Sequence, residues 1–187
     1  MILAAVDREA LAGLIRSADP LAAGAAARPL MGDVVTWTRR PAPADWLVDG
    51  ERERPLHEHR AAHAEGRPSE ATVAYGAGVD PAAVAERLLA LGALAEETGL
   101  LRAICPVPSQ GDARRPGSWG VEDLTVIAAA RLAAPAVPWI RPCWRRLGAQ
   151  ACGVAAAFGA SDWVLPEDER ADPALLAATA GRTAVER

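Results

Sequence analysis

Apolar residues in the middle of the chain follow two different spacings, which together predict a strand, a helix and a second strand. Residues 71–75 and 101–105 are short, mainly apolar runs bounded by glycine or proline, as in buried strands. Between them, residues 84–94 are apolar at every third or fourth position, which is the spacing of one helix face. Asp80 precedes this helix as an N-cap, and Gly99 is placed to end it in a left-handed conformation. Two strands joined by such a helix form a parallel βαβ unit with a right-handed crossover.

The same alternation continues to the end of the chain and predicts an α/β protein. After the βαβ unit, the pattern predicts helices over 121–132, 149–158 and 172–180 and strands over 139–141 and 162–165. Two helices and a strand at 34–37 come before it. This order is typical of helices covering a parallel sheet, either an open wound sheet or part of a barrel. We expect one domain that contains N-terminal helices and a first strand (1–38), a linker (39–55) and βα repeats (56–187).

Composition narrows the kinds of partner. The chain has 187 residues and a net charge of -4, which argues mildly against nucleic acid as a main partner. No apolar run reaches the length of a membrane span, and the first residues lack the basic and apolar regions of a signal peptide. Three widely spaced cysteines, Cys105, Cys143 and Cys152, favour reduced thiols over a disulfide framework. These features predict a cytoplasmic protein with neither nucleic acid nor a membrane as partner.

A short histidine-rich helix over 56–65 offers a metal site that we do not favour. His59 and His63 are four residues apart and therefore share a helix face. The local sequence places no carboxylate or cysteine ligand beside them. An arginine- and histidine-rich helix is ordinarily a solvated face, so we predict no metal at this position.

Several stretches, taken in order, carry a resemblance to a known family. They are residues 14–19, 32–36, 60–66, 71–76, 97–99, 127–132, 158–162 and 180–187. Together they resemble successive landmarks of the radical SAM group that contains aminofutalosine synthase, dehypoxanthine futalosine cyclase and the deazaflavin FO synthases. The last stretch is most similar to the end of aminofutalosine synthase, an enzyme of the futalosine pathway to menaquinone. The resemblance implies a TIM-type barrel, here an incomplete one with N-terminal helices.

The chain departs from this family where the family does its chemistry. Its members carry a CxxxCxxC motif after the first strand, which holds a 4Fe-4S cluster that binds S-adenosylmethionine. Residues 38–55 contain no cysteine, and this linker stands where the family has its cluster loop and about half its barrel. Residues 75–79 read Tyr-Gly-Ala-Gly-Val in place of the family's Tyr-Gly-His-x-Glu. We therefore expect no cluster or other cofactor and no radical catalysis by this chain alone.

Three functional interpretations follow. The first is a non-catalytic relative with a binding or regulatory role, or a degenerate remnant. The second is a subunit or fragment that works with a cluster-bearing partner in menaquinone or deazaflavin cofactor biosynthesis. The third is a small-molecule-binding α/β protein with unrelated chemistry at the carboxyl ends of its strands, because a fold alone does not determine function. The sequence leaves open whether the protein is an enzyme.

The third interpretation needs polar residues at the strand ends. Candidates for substrate binding are Tyr75, Gln110, Arg141, Cys143, Trp144 and Glu167. Arg141 together with Arg145 is suited to holding a carboxylate or phosphate. Cys143 has no histidine near it in sequence, which favours a small buried residue over a nucleophile. Trp144 is equally well explained as filling space between helix and sheet.

An incomplete barrel also predicts self-association. The five strands expected here are fewer than the roughly eight that close a TIM-type barrel, so two sheet edges are left open. The inner face is then expected to expose apolar surface, which soluble monomers rarely do. Both features predict a homodimer, or assembly with a cluster-bearing homologue. Alternatively, the linker folds back and covers one edge.

Overall fold

The computed structural model describes residues 6–50, 52–109 and 120–187, which form an α/β fold of parallel strands covered by helices. Gln110 lies outside the described residues. The strands are β1 (Val34–Thr38), β2 (Leu47–Val48), β3 (Ser69–Tyr75), β4 (Leu101–Pro108), β5 (Trp139–Ile140), β6 (Asp162–Val164) and β7 (Thr183–Glu186). The helices are α1 (Arg8–Ser17), α2 (Pro20–Ala27), α3 (Leu56–Ala64), α4 (Pro81–Thr98), α5 (Gly120–Ala133), α6 (Trp144–Ala155) and α7 (Pro173–Thr179).

Aspartate caps explain where four of these helices begin. The N-cap residues of α1, α2, α4 and α7 are Asp7, Asp19, Asp80 and Asp172, and each carboxylate accepts a backbone N–H of the first turn. In the last three, proline occupies the first helical position, where no N–H is needed. Gly99 ends α4 at a φ of 66°, the left-handed conformation that glycine adopts without strain. The predicted N-cap at Asp80 and the predicted helix end at Gly99 are confirmed.

The strands form two parallel groups that meet at one backbone hydrogen bond. One group has the order β2-β3-β4-β5 and the other β6-β1-β7. All strand pairs within both groups are parallel. Between the groups, the amide of Ser161, just before β6, donates to the carbonyl of Ile140 in β5 at 2.9 Å. Helix α1 packs on α4 and α2 packs on α5, so the N-terminal helices form an outer layer.

The linker and the C-terminus differ from expectation because each adds a strand. Leu47 and Val48 of the linker pair with Ser69 and Glu70, so β2 covers the outer edge of β3. The alternative in which the linker folds back over an edge is confirmed. Strand β7 lies along β1 and was not predicted, because it has four residues, of which only Ala184 and Val185 are apolar.

Strand β4 continues through Pro106, where the sequence predicts its end. Ala103 and Ile104 are the only β4 residues that pair with β5. Beyond them one side of β4 has no strand neighbour among the described residues. The missing N–H of Pro106 therefore removes no ladder bond there, as on an edge strand.

The sheet face opposite the main core is charged, which corrects the apolar inner face expected from sequence. Arg141, just after β5, donates from Nε to Asp162 Oδ2 at 2.7 Å and from one terminal nitrogen to Glu70 Oε2 at 2.6 Å. Arg187 donates two hydrogen bonds to the same Asp162 carboxylate, at 2.8 and 2.9 Å. Thr36 of β1 donates its hydroxyl to Asp162 Oδ1. We call these five residues the charged hub.

Aromatic rings lie over the charged hub. The rings of Trp46 and Trp139 stack with centroids 6.2 Å apart. The guanidinium of Arg187 lies 4.1 Å from the Trp139 ring centroid, and that of Arg141 lies 5.7 Å from it. Asp162 is fully buried and Arg141 is 8 % exposed. The hub is therefore an internal ion-pair network that joins β1, β3, β5, β6 and the end of β7.

Replacing Asp162 by asparagine tests whether the hub holds the two strand groups together. The change keeps the shape of the side chain but leaves the buried Arg141 without one of its two carboxylates. Losing one partner of a buried ion pair costs about 3–5 kcal/mol, so we expect the free energy of unfolding in urea to fall by about that amount.

The matched control for this substitution is Glu86→Gln, which breaks the exposed Arg8–Glu86 pair at 3.4 Å. We expect a change of at most about 1 kcal/mol there, because water screens exposed pairs. If Asp162→Asn lowers the free energy of unfolding no more than Glu86→Gln does, the hub does not hold the two strand groups together.

Candidate functional site

A cleft opens where β3 and β4 end and where α5 and α6 begin. Its inner part, about 510 Å³, lies between the two helices and is almost entirely apolar. Its outer part, about 570 Å³, reaches the end of β4 at Pro108 and Ser109. The two parts share Gly120, Asp123, Leu147 and Ala151, so they form one continuous space. Carboxyl ends of parallel strands are where α/β proteins bind ligands.

The apolar wall of the cleft follows from residue spacing on the two helices. Helix α5 contributes Val121, Leu124 and Ile127, and α6 contributes Leu147, Ala151 and Val154. The α5 residues recur every three positions and therefore lie on one helix face, as Ala151 and Val154 do on α6, whereas Leu147 stands just before the break at Gly148. Val121 and Val154 remain 51 % and 48 % exposed. The facing helix surfaces thus leave apolar area open to an apolar ligand.

Two arginines stand at the mouth of the cleft. Arg145 and Arg146 lie in the first turn of α6 and line its outer part. Gly148, at a φ of 78°, breaks the helical path of α6 directly after this turn. Arg145 is exposed, and Arg146 is half-buried and engaged in an interaction of its own. Among the described residues, the mouth thus carries two guanidiniums beside the Asp123 carboxylate, whereas the interior is apolar.

A buried hydrogen bond forms the floor between the two parts. The Tyr75 hydroxyl donates to Asp123 Oδ1 at 2.8 Å, and Tyr75 is 1 % exposed. Burial and the neighbouring Asp123 carboxylate raise the pKa of Tyr75 well above its usual value. Burial and Asp123 also raise the pKa of Glu122. Tyr75 therefore stays neutral and holds the start of α5 against the end of β3.

The remaining predicted site residues do not converge on this cleft. Arg141 lies in the charged hub, where Asp162 and Glu70 are already bound to it. Burial opposes its charge, but Cys105, Asp162 and Glu70 outweigh burial and raise the pKa of Arg141 above its usual value. Cys143 is half-buried at the N-cap of α6 and takes part in an interaction. The sequence gives no sign that two carboxylates, at positions 70 and 162, converge on Arg141.

Trp144 and Glu167 both lie outside this cleft. The Trp144 indole donates to Glu169 Oε2 at 2.7 Å and packs edge-to-face on Trp163, with centroids 6.1 Å apart. Trp144 thus fills space between helix and sheet. Glu167 is exposed and lines a separate depression of about 570 Å³ with Arg39 and Arg145.

The two histidines considered as metal ligands are buried, which corrects the solvated face expected for α3. His59 Nδ1 and His63 Nε2 both contact Ser69 Oγ, at 3.0 and 2.8 Å. His59 Nε2 lies 3.1 Å from Asp49 Oδ1, and His63 Nδ1 lies 2.9 Å from Thr98 Oγ1. We call these five residues the histidine relay. Spacing on α3 places both rings on one face, but only β3 and α4 determine that the face is covered.

The relay carboxylate is strongly held in its charged form. Burial alone would raise the pKa of Asp49, but His59 and the backbone amides of Thr72 and Arg54 outweigh burial and lower it. Burial and the neighbouring His59 lower the pKa of His63. Among the described residues, no group of three or more His, Cys, Asp or Glu side chains is arranged to hold a metal ion.

Comparison with known proteins adds no identity. No model of a known protein family matches the chain, and no curated protein sequence matches it significantly. In the part of the chain that the structure describes, no helix has both the length and the apolar character needed to cross a membrane. Any function proposed for the chain therefore rests on the cleft, the charged hub and the histidine relay.

Thiol titration tests the cysteine assignments. Burial raises the pKa of Cys105 to about 12 and also raises the pKa of Cys152 above its usual value. Because the thiolate is the reactive form, we expect both to resist an aromatic disulfide reagent at pH 8. At most one thiol, that of Cys143, should react in the native protein, and all three should react in guanidinium. Two or more fast-reacting native thiols would contradict this.

Proposed function

We propose that this protein is a cluster-free, partial TIM-type barrel that binds a small molecule and does not carry out radical chemistry on its own. The strand order supports the barrel relationship. Through the Ser161–Ile140 hydrogen bond, the strands follow one another as β2-β3-β4-β5-β6-β1-β7. The first strand thus lies beside the last two strands, β6 and β7, and a closed barrel likewise places its first strand beside its last. The proposed relationship is to the radical SAM group of menaquinone and deazaflavin biosynthesis.

The thiols do not fit the family's 4Fe-4S cluster. Cys105 is in β4, Cys143 precedes α6 and Cys152 is within α6, so no three follow the CxxxCxxC spacing. The raised pKa values of Cys105 and Cys152 further disfavour the thiolates that iron requires. We therefore derive no step through a cluster or S-adenosylmethionine. Free cysteines suit the cytoplasmic setting that we propose.

The cleft between α5 and α6 carries the functional proposal. An apolar interior with two arginines at its mouth fits a molecule that has a flat or aliphatic apolar body and one anionic group. A carboxylate or phosphate would pair with the guanidinium of Arg145, and the apolar body would lie against Leu124 and Ala151. The ligand class is thus an amphipathic organic anion.

A pair of matched probes tests the ligand class. 2-Naphthoate and its uncharged methyl ester share the apolar body and differ in the anionic group. We expect the wild type to bind 2-naphthoate more tightly than the methyl ester. Arg145→Gln should weaken the affinity for 2-naphthoate about tenfold and leave the affinity for the ester unchanged. A charge-assisted hydrogen bond contributes about 1.5 kcal/mol or more, which corresponds to that factor. Fluorescence titration at low salt gives both dissociation constants.

Two further variants locate the bound probe. Ala151→Phe should fill the shared part of the cleft and abolish binding of both probes, whereas Gln150→Phe adds the same ring at the neighbouring exposed position and should leave binding unchanged. Arg170→Gln is the control for charge, because Arg170 is exposed and does not line the cleft. Equal affinity for acid and ester, or binding that survives Ala151→Phe, would overturn the proposed site.

Self-association is a second proposal, favoured by the outer edge of β7. The amides of Thr183 and Arg187 donate to β1, so those of Ala184 and Glu186 point away from it. Val185 and the neighbouring Val34 are 45 % and 43 % exposed. Such an edge is suited to a second copy of the chain, or to a cluster-bearing homologue that supplies further strands.

Light scattering during size exclusion tests this self-association. We expect a homodimer of the 19.5 kDa chain. Glu186→Pro should shift it toward monomer, since proline removes an outward N–H and no bond to β1. A stable wild-type monomer at high concentration would overturn the dimer proposal, and it would leave the ligand proposal unaffected.

A further inference from the structure

The histidine relay is a row of five polar side chains in the interior, joined by three hydrogen-bond contacts and by the Asp49–His59 ion-pair contact. Its order is Asp49, His59, Ser69, His63 and Thr98, with successive contacts of 3.1, 3.0, 2.8 and 2.9 Å. His59 and Ser69 are fully buried, and His63 is 6 % exposed. Water therefore cannot readily supply a missing donor or acceptor, and the relay's hydrogens must satisfy one another.

Counting hydrogens limits the charge that the relay can carry. A serine hydroxyl has one hydrogen to donate, and it stands here between two ring nitrogens. With both rings neutral, Thr98 donates to His63, His63 to Ser69 and Ser69 to His59. His59 Nε2 then faces Asp49 Oδ1 at 3.1 Å, a close contact that lacks the geometry of a hydrogen bond. With one added proton, Thr98 turns its hydroxyl to the Leu94 carbonyl, 2.8 Å away, and the hydrogens shift along the chain until His59 is cationic against Asp49.

A second added proton cannot be accommodated by rearranging the hydrogens of the relay. Both rings would then present N–H groups to Ser69 Oγ, and the Ser69 hydrogen would have no acceptor in the relay. The surrounding charges add to the conflict. Arg54 Nε and an Arg87 terminal nitrogen lie 3.8 and 3.7 Å from the Asp49 carboxylate, which is the one acidic group in the relay. On the other side Glu97, paired with Arg60 at 3.3 Å, is the acidic group that favours a proton on His63.

We propose that the histidine relay is a proton-sensitive latch: it accommodates one proton, and a second proton opens it and releases residues 47–50 from the edge of β3.

The contacts of Asp49 connect the relay to this segment. Asp49 Oδ2 accepts the Thr72 amide of β3 at 2.9 Å and the Arg54 amide at 3.2 Å. The Thr72 hydroxyl donates to the Gly50 carbonyl at 2.7 Å. When the relay opens, the His59 ring no longer lies against Asp49. The hydrogen bonds from Thr72 to Asp49 and Gly50 are then weakened. The consequence is an unpaired outer edge of β3, which is suited to pairing with another strand.

The direction of the pH effect follows from proton binding. In the unfolded chain both histidines have ordinary pKa values near 6.5, so both bind protons in mild acid. The closed protein binds only one, and the lowered pKa of His63 agrees with this. Opening therefore takes up one proton, and its equilibrium constant rises about tenfold per pH unit as the pH falls below about 6.5.

Ring nitrogen NMR on the wild-type protein tests the proton count directly. The chain has three histidines, and the exposed His57, which is not part of the relay, serves as an internal control. Between pH 8 and the onset of opening, we expect His59 and His63 together to take up one proton. Two ordinary titrations near pH 6.5, with the Thr72 amide still protected from hydrogen exchange, would overturn the proposal.

Hydrogen exchange of two amides tests the release. After correction for the intrinsic rate, protection of the Thr72 amide should fall about tenfold per pH unit below pH 6.5. The Leu165 amide, which donates to the Thr38 carbonyl at the opposite part of the sheet, should keep its protection. His63→Gln keeps a neutral polar group at the Ser69 contact and should remove the pH dependence, whereas His57→Gln should retain it. Equal pH dependence in all three proteins would overturn the latch, and the wild-type NMR count decides the matter if His63→Gln does not fold.

Discussion

The ion pairs of Arg141 are the contact on which the arrangement of this sheet depends. Strands β5 and β6 meet at the backbone hydrogen bond from Ser161 to Ile140, so backbone pairing alone joins the two strand groups weakly. The Arg141 guanidinium spans the same junction on the inner face, from Glu70 in β3 to Asp162 in β6. Removing one carboxylate would leave a buried charge uncompensated, which is why such a pair constrains the geometry strongly.

The same network explains how the sheet keeps the face opposite its main core from water. An apolar face there would need a further layer of protein to cover it. Here alternate residues of the strands, Glu70, Asp162 and Thr36, are polar and satisfy one another and Arg141. Trp46 and Trp139 stack above them. The face is thus covered within the chain, and the outer edges of β2 and β7 are among the edges that a partner can pair with.

Local features of this fold are readable from sequence, and long-range ones are not. Asp80 and Gly99 act on neighbouring residues, so their caps and the helix between them follow from the sequence. Arg141 was interpreted as a ligand-binding residue because its position after a strand is visible. Its partner Glu70 is 71 residues away, and nothing local pairs them. His59 and His63 share a face by spacing, but whether α3 turns that face inward depends on β3 and α4. Strand β2 has two residues, too few for any period to indicate it.

An acidic side chain holds the edge strand in place at both the β7 edge and the β2 edge of the sheet. At one edge Asp162 holds Arg187, which follows β7, and at the other Asp49, which follows β2, holds the Thr72 amide of β3. The two edges differ in how they respond to acid. Asp162 faces two guanidiniums, whose charge does not change in the physiological range. Asp49 faces His59, and through Ser69 it is connected to His63, whose pKa is lowered by burial and by the neighbouring His59. Mild acid therefore acts on the β2 edge alone, while the charged hub, the main core and the α5–α6 cleft stay in place. A change confined to one edge alters what that edge can pair with and leaves the rest of the fold intact.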